Sequence, residues 1–391
     1  MNTSTLPVLP QRHLRGETDI SQLVAVLQDQ QAAKLDLVLP TNQIRFNQGL
    51  LSIADQQVVL GADGVTDPNG LYLGTEAVDQ QIADLFSIPV RYLRRMRDEH
   101  VDLLDTNVNE WAARAEGKRL VRLLQGSDPE DPTTSGIVRA VLSDRYGIRD
   151  HLDTVFSVLQ GLREAGLDGS NISGIDLSDN RLYLAVNVPQ VAVDARELVR
   201  GYRSPFDSRP GEELPLLNAG LVFTNSEVGR GAFEIFPRAV LQVCKNGLTR
   251  KVDGFRKIHL GGRLEEGTIN WSTATVDAAN EFVRQQVKDA VASFLSEGYL
   301  ENLRDDLLKD AGVEVVDVVG TVEFVSKKLQ YTQTEQDSIL ADFIKGGQVT
   351  SGGVLNAVTS VAQRIENPDR AYEVEASAIE AMQVAAKFAA V

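Results

Sequence analysis

The hydrophobic pattern of this chain changes its period near Trp271, and this change limits what each part can fold into. Before Trp271, runs such as KRLVRLL at 118–124 and RLYLAVNVP at 181–189 are typical of β-strands. After it, apolar residues recur at helical spacing. The pattern predicts an α+β protein, with a central antiparallel β-rich region and packed helices, followed by a helical C-terminal region.

Three segments follow from this pattern. Residues 1–34 are predicted to form an N-terminal leader and a helix over 19–33, whose apolar residues recur at i, i+3, i+4 and i+7. Residues 35–270 are predicted to form a mixed α+β core with a β-rich centre. Residues 271–391 are predicted to form a helical region.

Composition excludes several classes of protein. A chain of 391 residues with 43% hydrophobic and 24% charged residues should fold, unlike a disordered chain. One cysteine, Cys244, permits neither an intramolecular disulfide nor a cysteine-rich zinc site, and suits a reducing compartment. Neither a secretory signal nor a membrane-spanning run is visible. We therefore expect a cytoplasmic protein without a membrane partner.

The net charge of −16 is unevenly distributed. Residues 200–263 carry eleven Lys/Arg against six Asp/Glu, which makes this stretch a basic island in an otherwise acidic chain. Cations beside aromatic rings are typical of single-strand binding, because cations hold phosphates while rings stack on bases. The predicted nucleic-acid-binding residues are Arg200, Tyr202, Arg203, Arg230, Arg238, Lys245, Arg250 and Lys251. Alternatively, these charges form a solvated face or pair with the acidic helical region.

A second candidate is the turn Ser143-Asp144-Arg145-Tyr146, which ends a predicted strand. Strand ends often display functional side chains, so Asp144, Arg145 and Tyr146 form a possible functional turn. An Asp–Arg pair that stabilises the turn explains the same residues.

The sequence contains no complete catalytic, metal-binding or nucleotide-binding signature. Its histidines, His259 among them, are isolated in the sequence, and its glycine turns lack the spacing of phosphate-binding loops. We therefore predict no catalytic residue, metal or cofactor. An enzyme that uses Asp144, Arg145 and Cys244 stays open.

Four stretches, LSDRYGIRDHLDTV, RSPF, NSEVGRGAFEIFPRAVLQVCKNGL and HLGGRLEEG, resemble the phage- and plasmid-encoded proteins of domain of unknown function family 932. The resemblance covers residues 35–365 and implies an intracellular protein of a mobile element, without implying a reaction. The strand–helix alternation is also similar to that of ring-forming single-strand annealing proteins.

Two hypotheses follow. The first is a non-catalytic factor that binds or anneals single-stranded DNA during phage or plasmid recombination or replication, as a homo-oligomer and with salt-dependent affinity. The alternative is a structural or interaction protein of a mobile element, which binds a phage or host protein through its acidic helical region.

Overall fold

The computed structural model describes residues 8–61, 64–127, 133–243, 246–257, 264, 266–268 and 273–389. Its strands are β1 (Leu14–Glu17), β2 (Lys34–Pro40), β3 (Arg45–Asn47), β4 (Leu50–Ile53), β5 (Val59–Gly61), β6 (Gly64–Thr66), β7 (Gly70–Gly74), β8 (Lys118–Gln125), β9 (Gly136–Ser143), β10 (Ile172–Leu177), β11 (Leu182–Asp194), β12 (Leu216–Asn225), β13 (Phe233–Leu241), β14 (Asn246–Thr249), β15 (Phe255–Lys257) and β16 (Gly267–Thr268). Its helices are α1 (Ile20–Ala33), α2 (Glu76–Phe86), α3 (Val90–Glu99), α4 (Val101–Arg114), α5 (His151–Glu164), α6 (Thr273–Phe294), α7 (Glu297–Ala311), α8 (Val318–Leu329), α9 (Gln333–Gly346), α10 (Ser351–Ala362) and α11 (Pro368–Ala389).

The first sheet has the strand order β16-β2-β8-β9-β7-β4-β3. Its β7–β9 pair is parallel, and its other described pairs are antiparallel. Side chains alternate across β2, so Leu35, Leu37 and Leu39 face helices α2–α4, whereas Asp36 and Val38 face the opposite side. The first sheet is therefore apolar towards its helices and carries charged residues on its other face.

The second sheet is antiparallel, with the order β1-β10-β11-β12-β13-β14, and β15 also pairs with β13. Leu184 and Phe223 face helices α1, α5 and α6. Tyr183 and Val222 project from the opposite face, where they contact Tyr372 of α11. We call this opposite side the α11 face of the second sheet.

Helices α7–α11 pack around the ends of the central strands of the second sheet. Leu217 and Leu241 from β12 and β13 join this core. Helix α10 is buried along its whole length. A buried helix explains why α10 is rich in small and apolar residues.

The structure is α+β, as the sequence pattern predicts. The helix predicted over 19–33 is confirmed as α1, which Asp19 caps by accepting a hydrogen bond from the Ser21 amide. Within the described residues, none of the helices has the length and apolar character that a membrane crossing requires.

Candidate nucleic-acid interface

A buried ionic network joins the two sheets. Arg122 of β8 is only 1% exposed, and its Nε and Nη2 donate to both carboxylate oxygens of Asp36 at 2.8 and 3.0 Å. Nη2 also donates to Asp150 at 2.6 Å, and Nη1 donates to the Glu227 carbonyl at 2.9 Å. These bonds compensate for the loss of water around a buried guanidinium.

Glu227 completes the network from the loop that connects β12 to β13. Its carboxylate pairs with Arg139 and accepts the backbone N–H of His151. Burial alone would raise the pKa of Glu227, but Arg139 and the other neighbouring cations hold it well below its usual value. Burial lowers the pKa of His151 to about 4, so its ring is neutral at pH 7.

The network is balanced in charge, since Lys34, Arg122 and Arg139 oppose Asp36, Asp150 and Glu227. All six side chains are buried or nearly so, which leaves little room for a substrate. The geometry is that of a joint which fastens the β12–β13 loop to the first sheet.

The predicted turn 143–147 lies at this same joint. Tyr146 donates its hydroxyl to the Ser226 carbonyl at 2.9 Å, so it connects the turn to the β12–β13 loop. Asp144 is buried and its carbonyl accepts the Leu264 amide, whereas Arg145 is exposed. Tyr146 therefore has a structural contact, whereas Ser143 and Arg145 are the exposed members of the turn.

Two predicted binding residues form ion pairs within the protein. Arg238 makes a two-pronged contact with Glu375 of α11, at 2.9 and 2.8 Å. Arg250 pairs with Asp306 of α7 at 3.1 Å and with Asp253 at 3.2 Å. Arg238 and Arg250 therefore pair with carboxylates of the helical region, as in the alternative interpretation of the basic island.

Three further predicted residues share a loop against the end of α9. Arg200 and Arg203 are exposed, and the Arg203 amide donates to the Gly346 carbonyl. Tyr202 is 2% exposed and packs within the core around α7–α11, so its ring offers no face to a base. The remaining candidates from this stretch, Cys244, Lys245 and His259, lie outside the described residues.

The Arg230 backbone and the Lys251 side chain both lie near Arg181 on the α11 face of the second sheet. Arg181, just before β11, donates from Nε to the Arg230 carbonyl at 2.7 Å. Arg256 lies opposite Glu234 in the β13–β15 pair and contacts its carboxylate at 3.3 Å. We call Arg181, Arg230, Lys251 and Arg256, with Glu234 and Tyr372, the cationic cluster.

Lys251 connects this cluster to α11. Its ammonium lies 4.8 Å from the centroid of the Tyr372 ring. The centroids of the Tyr372 and Tyr183 rings are also 4.8 Å apart. Partial burial lowers the pKa of Lys251, and the nearby Arg181 cation lowers it further. No carboxylate of the described residues lies within 4.0 Å of Arg181 or Lys251.

Tyr372 contributes a buried hydroxyl. The residue is 8% exposed, and its hydroxyl has no hydrogen-bond partner among the described residues. Burial, followed by the nearby Glu234 carboxylate, raises the pKa of this phenol. The hydroxyl therefore keeps its proton at pH 7.

Sequence reasoning identified Arg230 and Lys251 but missed Arg181, Glu234 and Tyr372. Arg181 and Tyr183 stand two residues apart, a spacing that places both on one strand face and could have been noticed. Tyr372 carries no local signal, because its neighbours in the cluster come from distant segments.

No group of histidine, cysteine, aspartate or glutamate side chains able to hold a metal occurs within the part of the chain that the structure describes. No family model, curated protein or solved structure matches the chain significantly.

Proposed function

We propose that this protein binds single-stranded DNA at the cationic cluster, as a non-catalytic factor of recombination or replication. The observation that carries the proposal is the meeting of Arg181 and Lys251 beside the Tyr372 ring, without a carboxylate within 4.0 Å among the described residues. The resemblance to domain of unknown function family 932 remains a prediction, and the role in mobile-element DNA metabolism rests on it.

The chemistry of the cluster suits a phosphate backbone. Partial burial and then the Arg181 cation disfavour the charged form of Lys251 and so lower its pKa, and an incoming anion would relieve the repulsion between the two cations. The net charge of −16 opposes binding elsewhere, so we expect contacts with few phosphates and an affinity that falls with salt.

The test is fluorescence anisotropy of a labelled oligonucleotide, single-stranded or duplex, from low to physiological salt. The variant Lys251→Glu/Arg256→Glu changes two exposed side chains of the cluster. We expect it to weaken single-strand binding at least about tenfold. The salt slope should fall by roughly 0.7 for each phosphate that the variant no longer neutralises.

The matched control is Arg163→Glu. Arg163 is an exposed arginine of α5, and α5 packs on the side of the second sheet opposite to α11. It should bind like the wild type. No binding by the wild type at low salt, or equal losses in both variants, would overturn the proposal.

Annealing activity and a homo-oligomer belong to the same proposal. Complementary oligonucleotides should anneal faster in the presence of the protein, and light scattering should give a mass above the 42.7 kDa of one chain. A monomer that binds single strands without accelerating annealing would leave binding alone as the function.

A further inference from the structure

A cleft of about 870 Å³ lies between α7, α8 and α11, next to the end of β14. This volume falls within the range of about 300–1,000 Å³ that is usual for ligand sites. Leu303, Leu307 and Met382 form a buried aliphatic floor, and Phe324 stands at the rim with 44% of its surface exposed. A ligand that enters the cleft would therefore cover apolar side chains at its floor.

The net charge of the cleft lining is opposite in sign to that of the helical region around it. Residues 273–391 contain nineteen acidic and ten basic residues. The cations at the cleft nevertheless outnumber the carboxylates: Arg250, Lys251, Lys309, Lys328 and Lys387 against Asp306, Asp310 and Glu380. A local excess of cations in an acidic region favours an anionic partner.

These cations lie at the two ends of the cleft. Arg250 and Lys251 are near Ala376 of α11, and Lys387 lies three turns later, about 16 Å along the helix axis. Lys328 of α8 also lines the cleft, and its neighbour Phe324 stacks on Phe388 with 4.7 Å between ring centroids. Neither Lys328 nor Lys387 has a carboxylate partner within 4.0 Å among the described residues.

We infer that this cleft binds a short peptide segment of a partner protein, with apolar side chains at its centre and carboxylates on both sides. An extended peptide covers about 16 Å with roughly five residues, so its acidic flanks would reach both cationic ends. Its apolar centre would cover the aliphatic floor. Such side-chain pockets give specificity to peptide recognition.

A nucleic-acid strand fits this cleft less well. Its phosphates are evenly spaced and would pass the Glu380 carboxylate, which lies on α11 between the two cationic ends. The floor is aliphatic, whereas single-strand sites generally stack bases on aromatic rings. This inference is independent of the proposed DNA binding, since the cationic cluster and the cleft share only Lys251.

The test uses the full-length chain and a fluorescein-labelled nonapeptide, Glu-Glu-Asp-Leu-Phe-Leu-Asp-Glu-Glu. Two comparison peptides replace either the acidic residues by Lys or the Leu-Phe-Leu centre by Ser-Gly-Ser. We expect saturable anisotropy for the first peptide alone. Binding of the lysine peptide with equal affinity would overturn the inference, and so would the absence of binding to any of the three.

Lys328→Glu/Lys387→Glu should weaken peptide binding at least about tenfold. The matched control is Lys327→Glu, an exposed neighbour on α8 that does not line the cleft, which should change the affinity less than about twofold. Equal losses in the two variants would show that the charge of α8, and not the cleft, attracts the peptide.

A filling variant, Ala376→Trp, should block the cleft without changing its charge, and circular dichroism would show that it folds. An unchanged peptide affinity in folded Ala376→Trp would overturn the inference.

The variants Lys328→Glu/Lys387→Glu, Lys327→Glu and Ala376→Trp are also titrated with the oligonucleotide. A tenfold loss of oligonucleotide affinity in Lys328→Glu/Lys387→Glu, without peptide binding, would assign the cleft to nucleic acid instead.

Discussion

At the scale of single residues, the unpartnered hydroxyl of Tyr372 in the cationic cluster lowers the stability of the folded protein. A buried hydroxyl without a partner costs about 1–3 kcal/mol relative to one that is hydrogen-bonded. The neighbouring Tyr183 provides a direct comparison, because its hydroxyl donates to Asp369 at 2.7 Å. Two neighbouring tyrosines on one face therefore differ in whether the hydroxyl has an acceptor.

The variant Tyr372→Phe is expected to unfold with a free energy equal to or about 1 kcal/mol above that of the wild type, because it removes the unpartnered hydroxyl. Its affinity for single-stranded DNA should stay within about twofold of the wild type, because the hydroxyl is buried from solvent and a phosphate does not reach it. Urea denaturation and anisotropy measure the two effects.

Tyr183→Phe is the control, and it should instead lose about 1 kcal/mol of stability with little change in DNA affinity. If Tyr372→Phe were as destabilised as Tyr183→Phe, the Tyr372 hydroxyl would have a partner in solution.

At the scale of elements, the β12–β13 loop is held by charges from other segments. Arg122 of β8 binds its backbone at Glu227, while Asp36 of β2 and Asp150 before α5 bind Arg122. The buried network, which also includes Arg139 of β9, thus joins three strands of the first sheet, one helix start and one loop of the second sheet.

Arg122→Met should therefore destabilise the protein by about 3–5 kcal/mol, because Asp36 would remain buried without its cation. Arg163→Met, on an exposed part of α5, should stay within about 0.5 kcal/mol of the wild type. Urea denaturation followed by circular dichroism measures both. A loss below about 1 kcal/mol for Arg122→Met would mean that water reaches the carboxylates.

Elements with strong local periodicity could be predicted from the sequence. The helix predicted over 19–33 is observed as α1, and the strand predicted at 118–124 is β8. The helical spacing after Trp271 is observed as helices α6–α11, and Val283 and Val287 of α6 are buried against α5 and the second sheet. The three-segment division remains a prediction.

The cluster could be predicted only in part, because charge alone does not show which cations find partners. The basic stretch included Lys251, which is exposed, and its predicted role in nucleic-acid binding stays a prediction. The basic stretch equally included Arg238, whose partner Glu375 lies 137 residues later in the sequence, in the helical region. Sheet pairing and helix packing decide this, and both depend on long-range contacts that local patterns do not contain.

At the scale of the whole molecule, stability should depend on pH because the joint between the sheets contains a buried, neutral histidine. His151 accepts a hydrogen bond from Asn225 at 3.0 Å if its proton is on Nε2, and it lies among Glu227, Arg139, Asp150 and Arg122. Burial lowers the pKa of His151 to about 4, compared with about 6.5 for an unfolded histidine.

As the pH falls from about 6.5 to 4, the unfolded state takes up a proton before the folded state does, so the free energy of unfolding decreases. A pKa difference of this size corresponds to about 3 kcal/mol of stability, which is fully present above about pH 6.5 and is lost by about pH 4. The lowered pKa values of Asp150 and Glu227 act in the same direction at lower pH. The raised pKa of Asp153 opposes them.

Urea denaturation at pH 7, 5.5 and 4.5 checks this prediction, with His151→Gln as the comparison. The variant keeps a polar group at this position but cannot take up the proton, so its free energy of unfolding should change less between pH 7 and 4.5 than that of the wild type. The difference between the two slopes, rather than the absolute stability of the variant, isolates the histidine. Parallel curves would show that His151 takes up its proton over the same pH range in the folded and unfolded states and that carboxylates alone cause the acid sensitivity.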